Sequence, residues 1–498
     1  MNVNPITRLD YPDPDVIRVE DTYYMVSTTM HFMPGCEILQ SFDLVHWEQV
    51  TYVYETLDHT DAQQLKSGQN IYGQGMWAAS LRYHEGRFCI CFVANDTRKT
   101  YLYTSEKIDG PWKKQLIEGF YHDGSLLFDE DGRNYIVYGN DEIWITELNE
   151  DLTAPKKDGL HRLLVSDHKN PELGYEGSHI QKINGYYYIF LIHSLRDRWM
   201  RTEACFYSDS LEGEFTGGDV LCDDRGYCGQ GVAQGGIVDT PDGKWYAMLF
   251  QDSGAVGRIP ILLPVTWKDH FPFFGQNGHV PEEIEVHSTR PEYIYQPLVG
   301  SDDFCNGLLP RWQFNHDPDP RYYHLDALQG TYTITTREVC TELTQAVNTL
   351  TQRMSYPSCA AEVTVDASAL KEGDVAGLCA LQGCYAAVGI TKHHGKYEVL
   401  MLDKKEDGIL DMTEGTVVES HQMDFRLEAD FCNMKDEARC YYRVNKGDWL
   451  PIGTVHKLYF KLDHFTGCRF GLFCYAAEET GGSACFRDFK YYDVDEIS

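Results

Sequence analysis

Five segments in the first half of the chain repeat one pattern: an apolar run reaches a turn at Gly or Asp and passes through an aromatic into a second apolar run. They are VIRVEDTYYMVST from Val16, LRYHEGRFCICFV from Leu81, LLFDEDGRNYIVYG from Leu126, IQKINGYYYIFLI from Ile180 and IVDTPDGKWYAMLF from Ile237. The turn pairs E-D, E-G, D-G, N-G and D-G between apolar runs predict a β-hairpin in each. Anchored on Asp21, Gly86, Gly132, Gly185 and Gly243, the copies recur at spacings of 65, 46, 53 and 58 residues, room for a four-stranded sheet and its loops each time. Five such sheets predict an all-β fold with a five-bladed β-propeller over residues 1–298.

Counting back nine residues from the four glycines, and eight from Asp21, reaches Trp77, Asp123, Glu176, Gln234 and Asp13. One position at the head of each blade's first strand thus carries three carboxylates, an aromatic and an amide. First strands converge on a propeller's axis, so these side chains are expected to share one pocket. Flanking Pro12, Pro14, Gly124 and Gly177 suit the close backbone approach a pocket floor needs. Such a cluster has two main uses, holding a hard cation through oxygens or hydrolysing a glycosidic bond. A calcium site would want carboxylates at short loop spacings or a D-x-D-x-D-G pattern; Asp317 and Asp319 in NHDPDPRY read as solvated loop acids rather than ligands. Glycoside hydrolysis needs one protonated carboxyl and one carboxylate, and a third beside the acid would raise that acid's pKa by like-charge repulsion.

Charge narrows the partners. A formal net charge of -33 repels nucleic acid, anionic membranes and polyanionic substrates, leaving neutral small molecules. Aromatics at 13%, with 33 Tyr and 9 Trp, suit sheet packing or stacking on sugar rings. No apolar window approaches about 18 residues, and MNVNPITRLDYPDPD lacks the basic and apolar regions of a signal peptide, so a cytoplasmic location is expected. Sixteen scattered cysteines without a C-x-x-C pair argue for reduced, mostly buried thiols and against zinc.

Taken in order, NPITRLDYPDPDVIRVEDTYYMVSTT, QGMWAASLRY, HDGSLLFDEDGRNYIVYG, YEGSHIQKINGYYYIF and GVAQGGIVDTPDGKWY resemble glycoside hydrolase family 43, the five-bladed β-xylosidases, α-L-arabinofuranosidases and arabinanases. The resemblance spans residues 4 to about 270. It implies an inverting mechanism with Asp13 as general base, Glu176 as general acid and Asp123 tuning Glu176. It also implies that Arg258, in GAVGRIPILLPVTW, lies near Asp123 or a sugar hydroxyl, that Trp77 forms a pocket wall, and that Phe32 is the platform under the terminal sugar. His31 and His122 flank the motifs and are candidate substrate contacts. Two departures stand out: Gln234 replaces a histidine often tied to a central calcium, so no metal or other cofactor is expected, and Trp77-Ala78-Ala79 replaces the usual W-A-P.

Blade patterning stops near STRPEYIYQPLVGSDDF, and a linker is expected around residues 286–301. Beyond it GTYTITT, AAEVTVDA, AAVGITK, KYEVLML and KLYFKLD predict a β-sandwich over residues 299–498. Its opening DDFCNGLLPRWQFNH and closing RFGLFCYAAEETGGSACFRDFKYYD resemble the concanavalin A-like C-terminal domain of family 43 β-xylosidases. That resemblance implies a loop aromatic closing the pocket, for which Phe465 is the candidate. The expected function is removal of terminal β-1,4-xylose or α-L-arabinofuranose from short xylan-derived oligosaccharides. A catalytically silent sugar-binding propeller is the rival, and a homo-oligomer is compatible by family analogy.

Overall fold

The computed structural model describes residues 2–413 and 415–493. Five antiparallel sheets of four strands follow one another along the chain, each in sequential strand order apart from the two-residue strand Phe32–Met33 that leaves the first blade. Their first strands are Asp15–Val19, Met76–His84, Ser125–Phe128, Glu176–Ile183 and Ala233–Asp239, and each touches the next in a closed ring, the fifth returning to the first. This is the five-bladed propeller predicted from the repeat. Asn2–Val3 pairs with Glu283–Ile284 and ties the chain start to the propeller's end. The hairpin turns obey their chemistry: Glu85-Gly86 and Asn184-Gly185 both take positive φ at both positions, as tight two-residue hairpins require.

The second half forms two sheets, one of seven strands and one of nine, that enclose a common core of residues such as Leu378, Val388 and Phe470 from one and Val363, Phe425 and Phe486 from the other. Propeller residues Ala255, Val256 and Ile259 belong to that same core. Phe32–Met33, from the first blade, pairs with Gln313–Asn315 and becomes the edge of the nine-stranded sheet. The two halves therefore share both a sheet and a core. All sixteen cysteines are free thiols and ten are buried, so packing rather than disulfides holds the chain.

The acids of the NHDPDPRY loop, expected to be solvated, are buried. Asp317 is buried at the junction of the halves, 2.8 Å from His59 Nδ1, and burial lifts its carboxyl to about 6 against the pull of His59. Asp319 is buried too, accepting from Arg321 at 2.7 Å. The NHDPDPRY loop lies under the propeller contact, which its sequence does not reveal.

Candidate active site

The three aspartates of LDYPDPD do three different jobs. Asp10 joins the halves: its Oδ1 accepts the Arg258 N–H at 2.7 Å and its Oδ2 the Gly467 N–H at 2.7 Å. Asp15 plugs the axis, accepting from Leu81 N and Arg82 Nη1, both at 2.7 Å, and lying 3.0 Å from His179 Nδ1. The Arg82 guanidinium reaches on to Leu126 O at 2.9 Å, Ser125 Oγ at 2.8 Å and Ile180 O at 3.2 Å, so one cation stitches four first strands together at the centre, its own included. Between Asp10 and Asp15, Asp13 takes a left-handed backbone (φ 53) that turns its carboxylate away from its neighbours.

Asp13 is 5% exposed and each of its oxygens has a donor: Arg258 Nη1 at 2.9 Å on Oδ1 and Thr28 Oγ1 at 2.5 Å on Oδ2. Asp123, also left-handed (φ 48) and buried, accepts the Gly177 N–H at 3.0 Å. Glu176 accepts from Asn140 Nδ2 at 2.9 Å through Oε2, while Oε1 takes no hydrogen bond from any described residue. His122 Nε2 stands 3.5 Å from both Asp123 Oδ2 and Glu176 Oε2. Burial raises the Asp123 carboxyl to about 6; Glu176 and Asp13 add to the rise, whereas His122 and the Gly177 N–H oppose it. The trio His122, Asp123 and Glu176 holds its donor atoms within 4.8 Å of one another, and the imidazole supplies the positive partner the two carboxyls need.

Bulges aim these side chains. The first strands of the second, fourth and fifth blades each shift register near their heads, between Met76 and Ala79, Glu176 and His179, and Ala233 and Gly236. Trp77 and Gln234 are the first residues of their bulges; the equivalent place in the fourth blade is Gly177, and Glu176 lies one residue earlier. The equal count from the hairpin glycines hides this offset because the fourth blade's first strand is one residue shorter between bulge and turn. Gly177 (φ +64) has no room for a side chain: a Cβ there would lie 2.7 Å from Gln234 Cδ. Gln234 N donates at 2.7 Å to Glu203 Oε2, a fully buried carboxyl that burial drives well above its usual range.

The remaining candidates divide. Arg258, expected near Asp123 or a sugar hydroxyl, is buried and pairs with Asp13, because its strand enters beside the first blade. Phe465, from the sandwich, lays its ring 4.2 Å from the Arg258 guanidinium and 5.6 Å from Trp77, and Trp77 stands 5.8 Å from His122. Phe465 therefore lies beside the Arg258–Asp13 pair and Trp77. Phe32 does not offer a platform: Arg469 covers its ring at 3.4 Å, His31 packs 4.3 Å away, and 1% of the residue is exposed. His31 is wholly buried against Tyr72, His316 and His464, a packing site between the halves rather than a pocket wall. Thr28, Asn140 and Glu203 were missed. Thr28 stood in the quoted VSTT run, two residues past the hairpin strand, but nothing local marked Asn140 or Glu203.

Cavity size alone would mislead. An opening of 440 Å3 lies at the other mouth of the axis among Val16, Tyr83, Phe128 and Trp245, past the Asp15–Arg82 plug, and holds none of the three strand-head carboxylates. A cleft of 360 Å3 opens beside Phe465 between Trp199 and Arg201 of the propeller and Phe460 and Leu462 of the sandwich.

The profile described as "Glycosyl hydrolases family 43" matches residues 3–272, and "Beta xylosidase C-terminal Concanavalin A-like domain" matches 301–492. A β-xylosidase of Formosa agariphila is 26% identical over 99% of this chain and 89% of its own. Among solved structures, a bifunctional GH43-CE protein of Bacteroides eggerthii superposes with TM-score 0.93 at 42% identity; it covers the whole chain, which spans 64% of that protein's length. A GH43 enzyme engineered to display both endo-xylanase and exo-arabinofuranosidase activity superposes with TM-score 0.88 at 27% identity over 99% of both chains. With a family profile over more than half its length, on the propeller that brings the three carboxylates together, the chain is a glycoside hydrolase and belongs to glycosyl hydrolase family 43.

Proposed function

We propose that the protein is an inverting exo-glycosidase that removes terminal β-1,4-D-xylose or α-L-arabinofuranose from the non-reducing ends of short, neutral xylan-derived oligosaccharides. Glu176 protonates the glycosidic oxygen through Oε1, the oxygen its neighbours leave unbonded. Asp13, anchored on both oxygens by Arg258 and Thr28, takes a proton from water as that water attacks the anomeric carbon from the opposite face. Asp123 orients the Glu176 segment through the Gly177 N–H. The reaction needs no cofactor, since acid and base are both carboxyls.

The observation that carries this reading is the arrangement of one carboxylate tied to a buried arginine and a second carboxyl pair gathered around an imidazole, all under Trp77 and Phe465. A silent sugar-binding protein has no use for a base anchored in this way. The sandwich aromatic over the pocket supports exo action, because it walls one side of the space left for the terminal sugar. The cleft beside Phe465, with Trp199 45% exposed, suits the leaving oligosaccharide.

The test is turnover of xylobiose and of an α-L-arabinofuranosyl-substituted xylotriose, with the anomer of the released sugar followed by NMR. Initial release of α-xylose from xylobiose is expected, and the ratio of the two rates ranks the substrates. Initial β-xylose would overturn inversion, and absence of release from either substrate would overturn the substrate class.

A further inference from the structure

Three carboxyls and two cations share the pocket. Arg258 is committed to Asp13 at 2.9 Å. The only cationic partner of Asp123 or Glu176 among the described residues is His122, whose Nε2 lies 3.5 Å from an oxygen of each. Its ring faces Trp77 of the second blade at 5.8 Å, and its side chain is 19% exposed, so little water competes for that contact. Asn140 braces the same Glu176 oxygen from the far side at 2.9 Å. His122 is thus wedged between a carboxyl of its own blade and one from the next.

We propose that His122 is a positioning residue that holds Asp123 and Glu176 in register and sets the upper pH limit of turnover, an inference that rests on the acid role of Glu176 proposed above. Charge balance in the pocket requires such a group. With Arg258 matched to Asp13, the rest of the pocket holds two carboxyls and one imidazolium. One proton, on Glu176, makes that remainder neutral, which is the state from which an inverting reaction starts. Removing the imidazolium leaves two crowded carboxyls that must share a proton between themselves, and Asp123 then competes with Glu176 for it. Burial works against a charged His122, but Asp123, Glu176 and Asp13 outweigh it and lift the imidazole to about 9. The groups facing the ring are therefore Asp123 beside it, Glu176 from the fourth blade, Asp13 with its Arg258 partner, and the neutral Trp77 and Asn140.

The experiment has two arms. In the first, kcat/KM of wild type, His122→Gln and His122→Phe is followed against pH on an aryl pentoside with a poor leaving group. Both variants are expected to lose up to ~10²-fold in kcat with KM within threefold, as for a misplaced acid. The basic limb should move upward by about one pH unit, the low end of what a charge at this distance exerts. Limbs that superimpose on wild type would overturn the proposal even if activity falls. In the second arm, the His122 ring is titrated by NMR in the substrate-free protein, assigned by difference from His122→Gln. Titration above pH 8 that falls toward the ordinary histidine value in Glu176→Gln is expected; titration at or below about 6.5, indifferent to Glu176→Gln, would overturn it. The second arm needs no turnover. If the wild type cleaves no pentoside, the functional reading falls while the clamp is still decided.

Discussion

Replacing Phe465 by alanine tests whether the sandwich takes part in catalysis. The Phe465 ring centroid is 4.2 Å from a guanidinium whose side chain is only 3% exposed, a desolvated cation–π contact worth about 2 kcal/mol. Its tilted contact with Trp77 at 5.6 Å adds about 0.5–1 kcal/mol. Both contacts hold the loop over the pocket before substrate arrives, so losing them reduces the fraction of enzyme in the closed, competent form. The ceiling on the loss is therefore about 2.5–3 kcal/mol, roughly 70- to 150-fold in kcat/KM. Water admitted to Arg258 would also loosen its 2.9 Å hold on Asp13, so the loss should appear partly in kcat. The assay is kcat/KM on xylobiose and an aryl β-xyloside, with urea unfolding as a control for global stability. Phe465→Leu, which keeps an apolar wall without a π face, should fall between the two, about tenfold down. A Phe465→Ala enzyme within threefold of wild type would refute the reasoning, because Arg258 would then be held in place without the sandwich.

Glu176→Gln should abolish cleavage of xylobiose while sugar binding, measured by calorimetry, stays within a few fold; full activity on xylobiose would remove Glu176 from the acid role. Gly177→Ala forces a Cβ to within 2.7 Å of Gln234 Cδ at a positive φ, and should cost more than ~1 kcal/mol of stability and ~10²-fold in kcat as the Glu176 segment shifts. Arg353 and Glu37 form a buried pair at 2.7 Å where the halves meet, so Arg353→Met alone should destabilise by about 3–5 kcal/mol in urea, and adding Glu37→Leu should recover most of it. At the same junction burial lowers His464 to about 4, with Asp463 opposing and Lys404 adding to the shift, and also drives His31 and His316 below their usual range. Because their folded values lie below the unfolded value near 6.5, these groups contribute stability that is present above pH 6.5 and lost as pH falls toward 4, about 3 kcal/mol for His464 alone. His464→Phe should flatten that dependence in denaturation curves taken across the window; an unchanged slope would mean the ring titrates normally.

Much of this molecule is written locally. A hairpin is decided by its turn pair and the apolar alternation on either side, and these lie within about fourteen residues, so Glu85-Gly86 and Asn184-Gly185 announce their blades without help from the rest of the chain. The repeat then gives the blade count, and the head of each first strand follows from the turn by counting, which is why Asp13, Asp123 and Glu176 were found together. The count was blind to one thing, the shorter strand of the fourth blade, since bulges change the residue number without leaving a mark on composition.

Everything that couples distant segments, by contrast, is set by packing. Arg258 pairs with Asp13 across 245 residues, and its contact with Phe465 spans 207. Phe32 and Asp317 looked like pocket and surface residues in their local context. Both are covered because the sandwich lays Arg469 and the 313–317 segment against the propeller, and no nearby residue records that. His122 carried no signal beyond its adjacency to Asp123, and its place between two carboxyls exists only once the third and fourth blades stand side by side. Local chemistry determines which strands and turns form; the electrostatics of the pocket depend on distances between blades and between halves, and those are fixed by packing alone.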